Sequence, residues 1–171
     1  VVAVAELALI FFITGGLHLD GLLDTADGLL SGKPREKALE IMKDSRVGAM
    51  GVLAGTLVVG LKVTAIASLA GSARWQALLL APIAGRYVMA AGIAAFPYAR
   101  ATCGLGSLFK DRASRQSTTL SGLLAVLFTA AVSGARGVAA FAAAVLTALA
   151  AGRQVTRQLG GLTGDVYGAL C

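Results

Sequence analysis

Long apolar runs broken by short charged stretches dominate the chain: residues 1–17, 47–73, 75–97, 117–134 and 137–152 are almost free of charge. Only Glu6, Lys62 and Arg86 lie well inside them. Such runs predict helices that cross a bilayer, a span taking about 20 apolar residues, although some of them fall short of that length. Gly15-Gly16 predicts a break after the first run, and Ser133-Gly134-Ala135-Arg136-Gly137 predicts a tight helical hairpin between the last two. Between the first two runs, Ser31-Gly32-Lys33-Pro34 marks a helix start, with Pro34 at an early helical position. Residues 35–44 then read as a short amphipathic helix, with Ala38, Leu39, Ile41 and Met42 on one side and most of the charges elsewhere. A helix of that kind is expected to lie against the membrane surface. The expected fold is all-α: a polytopic integral membrane helical bundle with an interfacial amphipathic helix, one domain over residues 1–171.

Composition agrees. The chain is 57% hydrophobic and 14% charged with mean hydropathy +0.79, against roughly 25% charged in soluble domains. Gly51 and Gly55 form a small-xxx-small pair of the sort that lets helices approach closely in lipid. The chain starts at Val1 inside an apolar run, without an initiator methionine, and reads as a segment of a longer protein lacking terminal segments at both ends. Cys103 and Cys171 have neither metal-site spacing nor a disulfide framework.

Charge sets an orientation. If the runs alternate across the membrane, the connectors 18–46 and 98–116 and the tail 153–171 share one side and carry eleven Lys and Arg residues, against Arg74 and Arg136 on the other. Cytoplasmic loops carry the excess of Lys and Arg, so the charged side is expected to be cytoplasmic. Topology thus accounts for the net charge of +6 without a nucleic-acid partner. Eight of the nine acids lie on the same side, Glu6 being the exception.

Three of those acids are Asp20, Asp24 and Asp27, in the run from Gly15 to Gly28. On a helix turning about 100° per residue, their spacing gathers them within roughly 60° of arc. Carboxylates close to lipid are costly unless they meet a cavity, a cation or a metal, and magnesium is typically held by a few carboxylates plus phosphate oxygens and water. The three aspartates therefore point to a magnesium site for an incoming pyrophosphate, and so to phosphoryl-group transfer. Lys43 and Arg46 are candidates to stabilise a leaving phosphate, and Asp44 is the best further ligand of the helical set Glu36, Glu40 and Asp44, the other two serving equally well as a solvated face. His18, the single histidine, serves either as a hydrogen bonder to backbone or ligand or in proton transfer. Lys62 and Arg86 are functional candidates because unpaired charge inside a span is expensive, although Arg86 could instead pair with Glu6 or an aspartate. Gly160 to Asp165 forms either a backbone cradle for phosphate or an ordinary turn.

These residues resemble a known family. The run Gly15 to Gly28, the run Arg35 to Gly48, Pro82 to Arg86, Pro97 to Arg100 with Gly104-Leu105-Gly106, and Gly161 to Asp165 are similar, in the same order, to cobalamin synthase, also called adenosylcobinamide-GDP ribazoletransferase. The resemblance covers nearly the whole chain. It implies a magnesium-dependent membrane enzyme of the bacterial cell (inner) membrane. Such an enzyme joins adenosylcobinamide-GDP to alpha-ribazole or its 5'-phosphate, gives adenosylcobalamin or its phosphate, and releases GMP, with its active site on the cytoplasmic side. By resemblance Asp20, Asp24, Asp27 and Asp44 become the metal and catalytic carboxylates, and His18, Lys43, Arg46, Arg86, Arg100 and Asp165 the substrate-binding set. Neither the residues nor the resemblance fixes the general base, the number of metal ions or the oligomeric state. Two rivals remain: a CDP-alcohol type phosphotransferase, whose usual Ala-Arg after Asp-Gly is missing at Leu22-Leu23, and a cation transporter using the carboxylates. A transport pathway should spread ionisable groups through the span interiors, whereas the acids here collect at one side.

Overall fold

Two glycines turn the first apolar run away from the aspartate-bearing segment. The computed structural model describes residues 1–100, 110 and 114–171, and Cys103, Gly104, Leu105, Gly106 and Arg112 lie outside the described residues. Helix α1 (Val2–Thr14) ends at Gly15, and both Gly15 and Gly16 adopt left-handed backbone angles, φ 61° and 70°, which glycine takes without a Cβ penalty. Helix α2 (Leu17–Leu29) leaves the break at 89° to α1. The aspartate run is therefore helical throughout, as its spacing predicts.

Helix α3 (Arg35–Ile41) comes next with Pro34 at its N-cap, one position before the early helical place expected. Then come α4 (Ala49–Ser68), α5 (Gly71–Ala95), α6 (Arg115–Leu159) and the short α7 (Gly164–Leu170). Three of these, α4, α5 and α6, are long and apolar enough to cross a membrane, and the bent pair α1 and α2 together makes a fourth candidate. This is a multi-pass membrane protein. Helix α6 is interrupted at Gly134, at φ 59° and ψ −151°, where the chain folds back. A Cβ on Gly137 would lie 3.0 Å from the Cγ2 of Thr129, eight residues earlier, and both Gly122 and Phe141 touch Tyr87 of α5. The two last apolar runs are thus the limbs of a hairpin, as the glycines around Arg136 predict.

Packing beside α2 sets the site. Helix α4 runs antiparallel to it: Gly48 and Gly51 face Asp27, and Gly55 faces Leu23 and Leu19. Of the Gly51/Gly55 pair it is Gly51 that lets α2 settle onto α4, since a Cβ there would press on the Asp27 carboxylate and stand 3.0 Å from the Leu23 carbonyl oxygen, whereas Gly55 has room for one. On another side α7 lies against α2, where a Cβ at Gly21 would come within 2.5 Å of the Asp165 carbonyl oxygen. The amphipathic helix α3 is present, but its apolar side meets protein: Ala38 and Met42 are buried with Ile93, Phe96, Leu159, Leu162 and Tyr167 in the core. A buried methionine and alanine gain more from close-packed neighbours than from a shallow position at the interface. At the opposite end of the bundle Glu6, the acid expected away from the others, pairs with Arg74 at 2.6 Å. That takes Glu6 away from Arg86.

Candidate active site

Of the three aspartates on α2, Asp20 is exposed and Asp24 and Asp27 are half-buried. Their functions divide by what they touch. Asp27 accepts the Gly48 N–H at one oxygen and the Gly51 N–H at the other, each at 2.7 Å. Those amides open α4 and have no partner within the helix, so a carboxylate there satisfies two orphan donors and complements the helix dipole. Asp27 is in effect a cap for α4 supplied from α2. Replacing it with Ala should cost about 1–2 kcal/mol of stability, read as a lower unfolding temperature. A stability unchanged from wild type would remove the capping role.

Asp24 sits where like charges meet. Asp20, Asp27 and Asp165 all lie within electrostatic reach of it, and Arg100 is the cation among them. Neither Asp20 nor Asp24 accepts a hydrogen bond among the described residues. Asp165 comes from the second sequence motif, and its position has identifiable causes. Leu162 and Thr163 are fully buried. Ala99 N–H donates to the Leu162 carbonyl and Leu162 N–H to the Pro97 carbonyl, each at 2.8 Å, so that Tyr98 and Leu162 form a parallel bridge. Thr163 caps α7 by accepting the Val166 N–H, and its hydroxyl also reaches Asp165 at 3.2 Å. Arg100, two residues past Tyr98, donates to Asp165 at 2.8 Å. The two residues named from separate motifs are therefore one ion pair beside Asp24.

Arg35 makes a clamp near the site that the sequence pattern did not single out. Its Nε donates to the Leu159 carbonyl at 2.7 Å and its Nη2 to the Ala99 carbonyl at 2.8 Å. One guanidinium thus ties α3 to the end of α6 and to the strand-like segment that carries Arg100. Arg35→Ala should loosen that segment, raising KM about tenfold while thermal stability falls by about 1–2 kcal/mol. An unchanged KM would show that the clamp is unnecessary for placing Arg100. The remaining omission, the Asp27 cap, had no local signal because Gly48 and Gly51 lie more than 20 residues away.

The structure separates other members of the predicted set. Asp44 turns back onto Arg46, accepting from its Nη2 at 2.6 Å and from its Nε and backbone N–H at 3.0 Å. That guanidinium holds the exposed carboxyl down to about 2, so Asp44 stays ionised across any ordinary assay range. Lys43 is exposed with no side-chain partner among the described residues. His18 and Arg86 meet each other on a different side of α2. No three His, Cys, Asp or Glu side chains among the described residues converge to hold a metal. The four-carboxylate set is thus not drawn together: Asp27 is engaged by α4 and Asp44 by Arg46. Asp20 and Asp24 remain, one turn apart and accepting no hydrogen bond among the described residues, and two carboxylates completed by phosphate oxygens and water suit magnesium.

The arrangement sets two carboxylates, unpartnered among the described residues, beside an Arg–Asp ion pair within a membrane bundle. The chain matches the family model described as cobalamin-5-phosphate synthase over residues 1–171. Curated relatives named adenosylcobinamide-GDP ribazoletransferase include those of Desulforamulus reducens, 43% identical over 98% of the chain, and Roseiflexus sp., 45% identical over 93%. Another, from Brevibacillus brevis, is 40% identical over 99% of the chain. The chain spans 67%, 59% and 69% of the lengths of these three relatives. No solved structure matches it. With its family model matched from end to end, the chain belongs to the cobalamin-5-phosphate synthase family, a family of cobalamin-biosynthesis transferases.

Proposed function

We propose that the protein to which this chain belongs transfers the adenosylcobinamide phosphate of adenosylcobinamide-GDP to alpha-ribazole or its 5'-phosphate, releasing GMP. The observation that carries the reading is the pair of carboxylates, Asp20 and Asp24, unpartnered among the described residues and beside the Arg100–Asp165 ion pair in a membrane bundle of this family.

The chemistry balances. A ribose hydroxyl oxygen forms a bond to the phosphorus that carries the cobinamide. The bond from that phosphorus to the bridging oxygen breaks, and GMP departs with the electron pair. A carboxylate of the aspartate group takes the hydroxyl proton. Arg100 is the group assigned to meet phosphate charge, a role supported by the hydrogen bond through which Asp165 holds its guanidinium. Magnesium held by Asp20 and Asp24 would neutralise phosphate oxygens when bound. Lys43 lies exposed, available to the nucleotide end of the substrate. The site faces the cytoplasm of a bacterial cell, on the side where Lys and Arg concentrate.

The test is substrate dependence. Full-length protein in lipid should release GMP from adenosylcobinamide-GDP only with alpha-ribazole and magnesium both present. GMP release without the ribazole would indicate a hydrolase instead.

A further inference from the structure

Behind α2, away from the aspartates, Lys62 and Arg86 are exposed to a groove of the bundle, and no acid among the described wall residues neutralises them. At about 100° per residue, His18 lies roughly 160–180° around α2 from Asp20 and Asp27 and about 120° from Asp24. A cavity of about 290 Å³ opens there between α1, α4 and α5, and a second of about 250 Å³ shares Phe11, His18, Lys62 and Cys171 with it. Lys62, Arg74 and Arg86 line the larger one. Arg74 is neutralised by Glu6. Among the described residues, Arg86 meets only His18 and the Cys171 Sγ, and Lys62 has no hydrogen bond or ion pair. No described Asp or Glu lines either cavity.

The depth makes this costly. At 1.5 Å per residue, Lys62 lies about 9 Å along α4 from its nearer end at Ser68, and Arg86 about 14 Å along α5 from its nearer end at Ala95. Cations at such depth are rare unless they pair with something. His18 does not supply a charge: an imidazole nitrogen facing a guanidinium accepts, which leaves the proton on Nδ1, and that nitrogen is buried without a partner among the described residues. One neutral donor and two cations thus share a space whose remaining walls, including Leu7, Ile10, Ile66 and Leu78, are apolar.

We propose that His18, Lys62 and Arg86 form a site for a phosphate group carried on an apolar body, separate from the aspartate face. A phosphate supplies the missing negative charge and acceptors for both cations, while the aliphatic walls suit the apolar part. A membrane phospholipid combines these features, and a soluble phosphorylated ligand shares the phosphate chemistry. The inference rests on the membrane fold and is independent of the transferase reading.

Native mass spectrometry of the full-length protein, released from nanodiscs of mixed phosphatidylglycerol and phosphatidylcholine, tests it. Wild type should retain phosphatidylglycerol over phosphatidylcholine, and the pair Lys62→Gln with Arg86→Gln should lower that retention at least tenfold, about tenfold being the loss of a single charge-assisted contact. Lys62→Arg with Arg86→Lys should keep it. Lys62→Gln alone breaks no contact among the described residues, so it supplies the readout if the double variant misfolds. Adding millimolar inorganic phosphate separates the sources: retention that persists supports a lipid, and displacement assigns the same residues to a soluble phosphate. Equal retention in wild type and in the charge-removing variants, with no displacement by phosphate, would overturn the site.

Discussion

Asp24→Asn should lower turnover by about a hundredfold or more while leaving the fold intact or slightly more stable. The two effects have opposite signs for one physical reason. Asp24 accepts no hydrogen bond among the described residues, so the isosteric amide breaks no contact. It also removes a negative charge that Asp20, Asp165 and Asp27 repel, which relieves the folded state. That same crowd of charge is what a substrate-bound cation would exploit, and removing one such interaction from a transferase site typically costs two to three orders of magnitude in rate. Steady-state turnover and thermal unfolding of the full-length variant in lipid measure both. Near-normal turnover would take Asp24 out of the chemistry, and a large loss of stability would show that its role is structural.

Gly21→Ala should be nearly as damaging by a different route. The added Cβ would stand 2.5 Å from the Asp165 carbonyl oxygen and 3.3 Å from the Gly168 Cα, and both are backbone atoms that cannot rotate away. Helices α2 and α7 must separate, at a cost of about 1–3 kcal/mol. Separation moves Asp24 away from Asp165 and Arg100, and misplacement by about 1 Å can cost roughly a hundredfold in rate. Gly55→Ala is the matched control on the other side of α2. Its nearest neighbour is the Leu23 Cδ1 at 3.5 Å, an ordinary contact, so near-wild-type stability and rate are expected. Equal effects at Gly21 and Gly55 would contradict these packing roles for the two faces of α2.

The elements that depend on local pattern were legible in the sequence. Gly15-Gly16 marks its own break because left-handed angles suit glycine, and the same holds for the turn at Gly134. The aspartate spacing identified one helical face without tertiary information. What could not be read were contacts between distant segments. Asp27 looks identical to Asp20 and Asp24 along the chain, yet it alone reaches the amides that open α4. Asp44 shares a helical register with Glu36 and Glu40, but a turn after α3 returns it to Arg46, two residues on, instead of sending it to α2. Arg35 is one of several charges off the apolar side of α3, and its clamp on two carbonyls depends on where α6 ends. Helix α3 had the pattern of an interfacial helix, and only the positions of Phe96 and Leu159 reveal that its apolar side is covered by protein.

Transfer of a cobinamide phosphate from a nucleotide to a ribose hydroxyl at the aspartate face is tested most directly by a single-turnover experiment. Full-length protein, magnesium, adenosylcobinamide-GDP and alpha-ribazole are quenched at intervals, and GMP and adenosylcobalamin are quantified together. Both products should appear at the same rate and in equal amounts, and Asp24→Asn should slow both alike. GMP without matching adenosylcobalamin, or equal amounts of both that Asp24→Asn leaves unchanged, would contradict the proposed transfer.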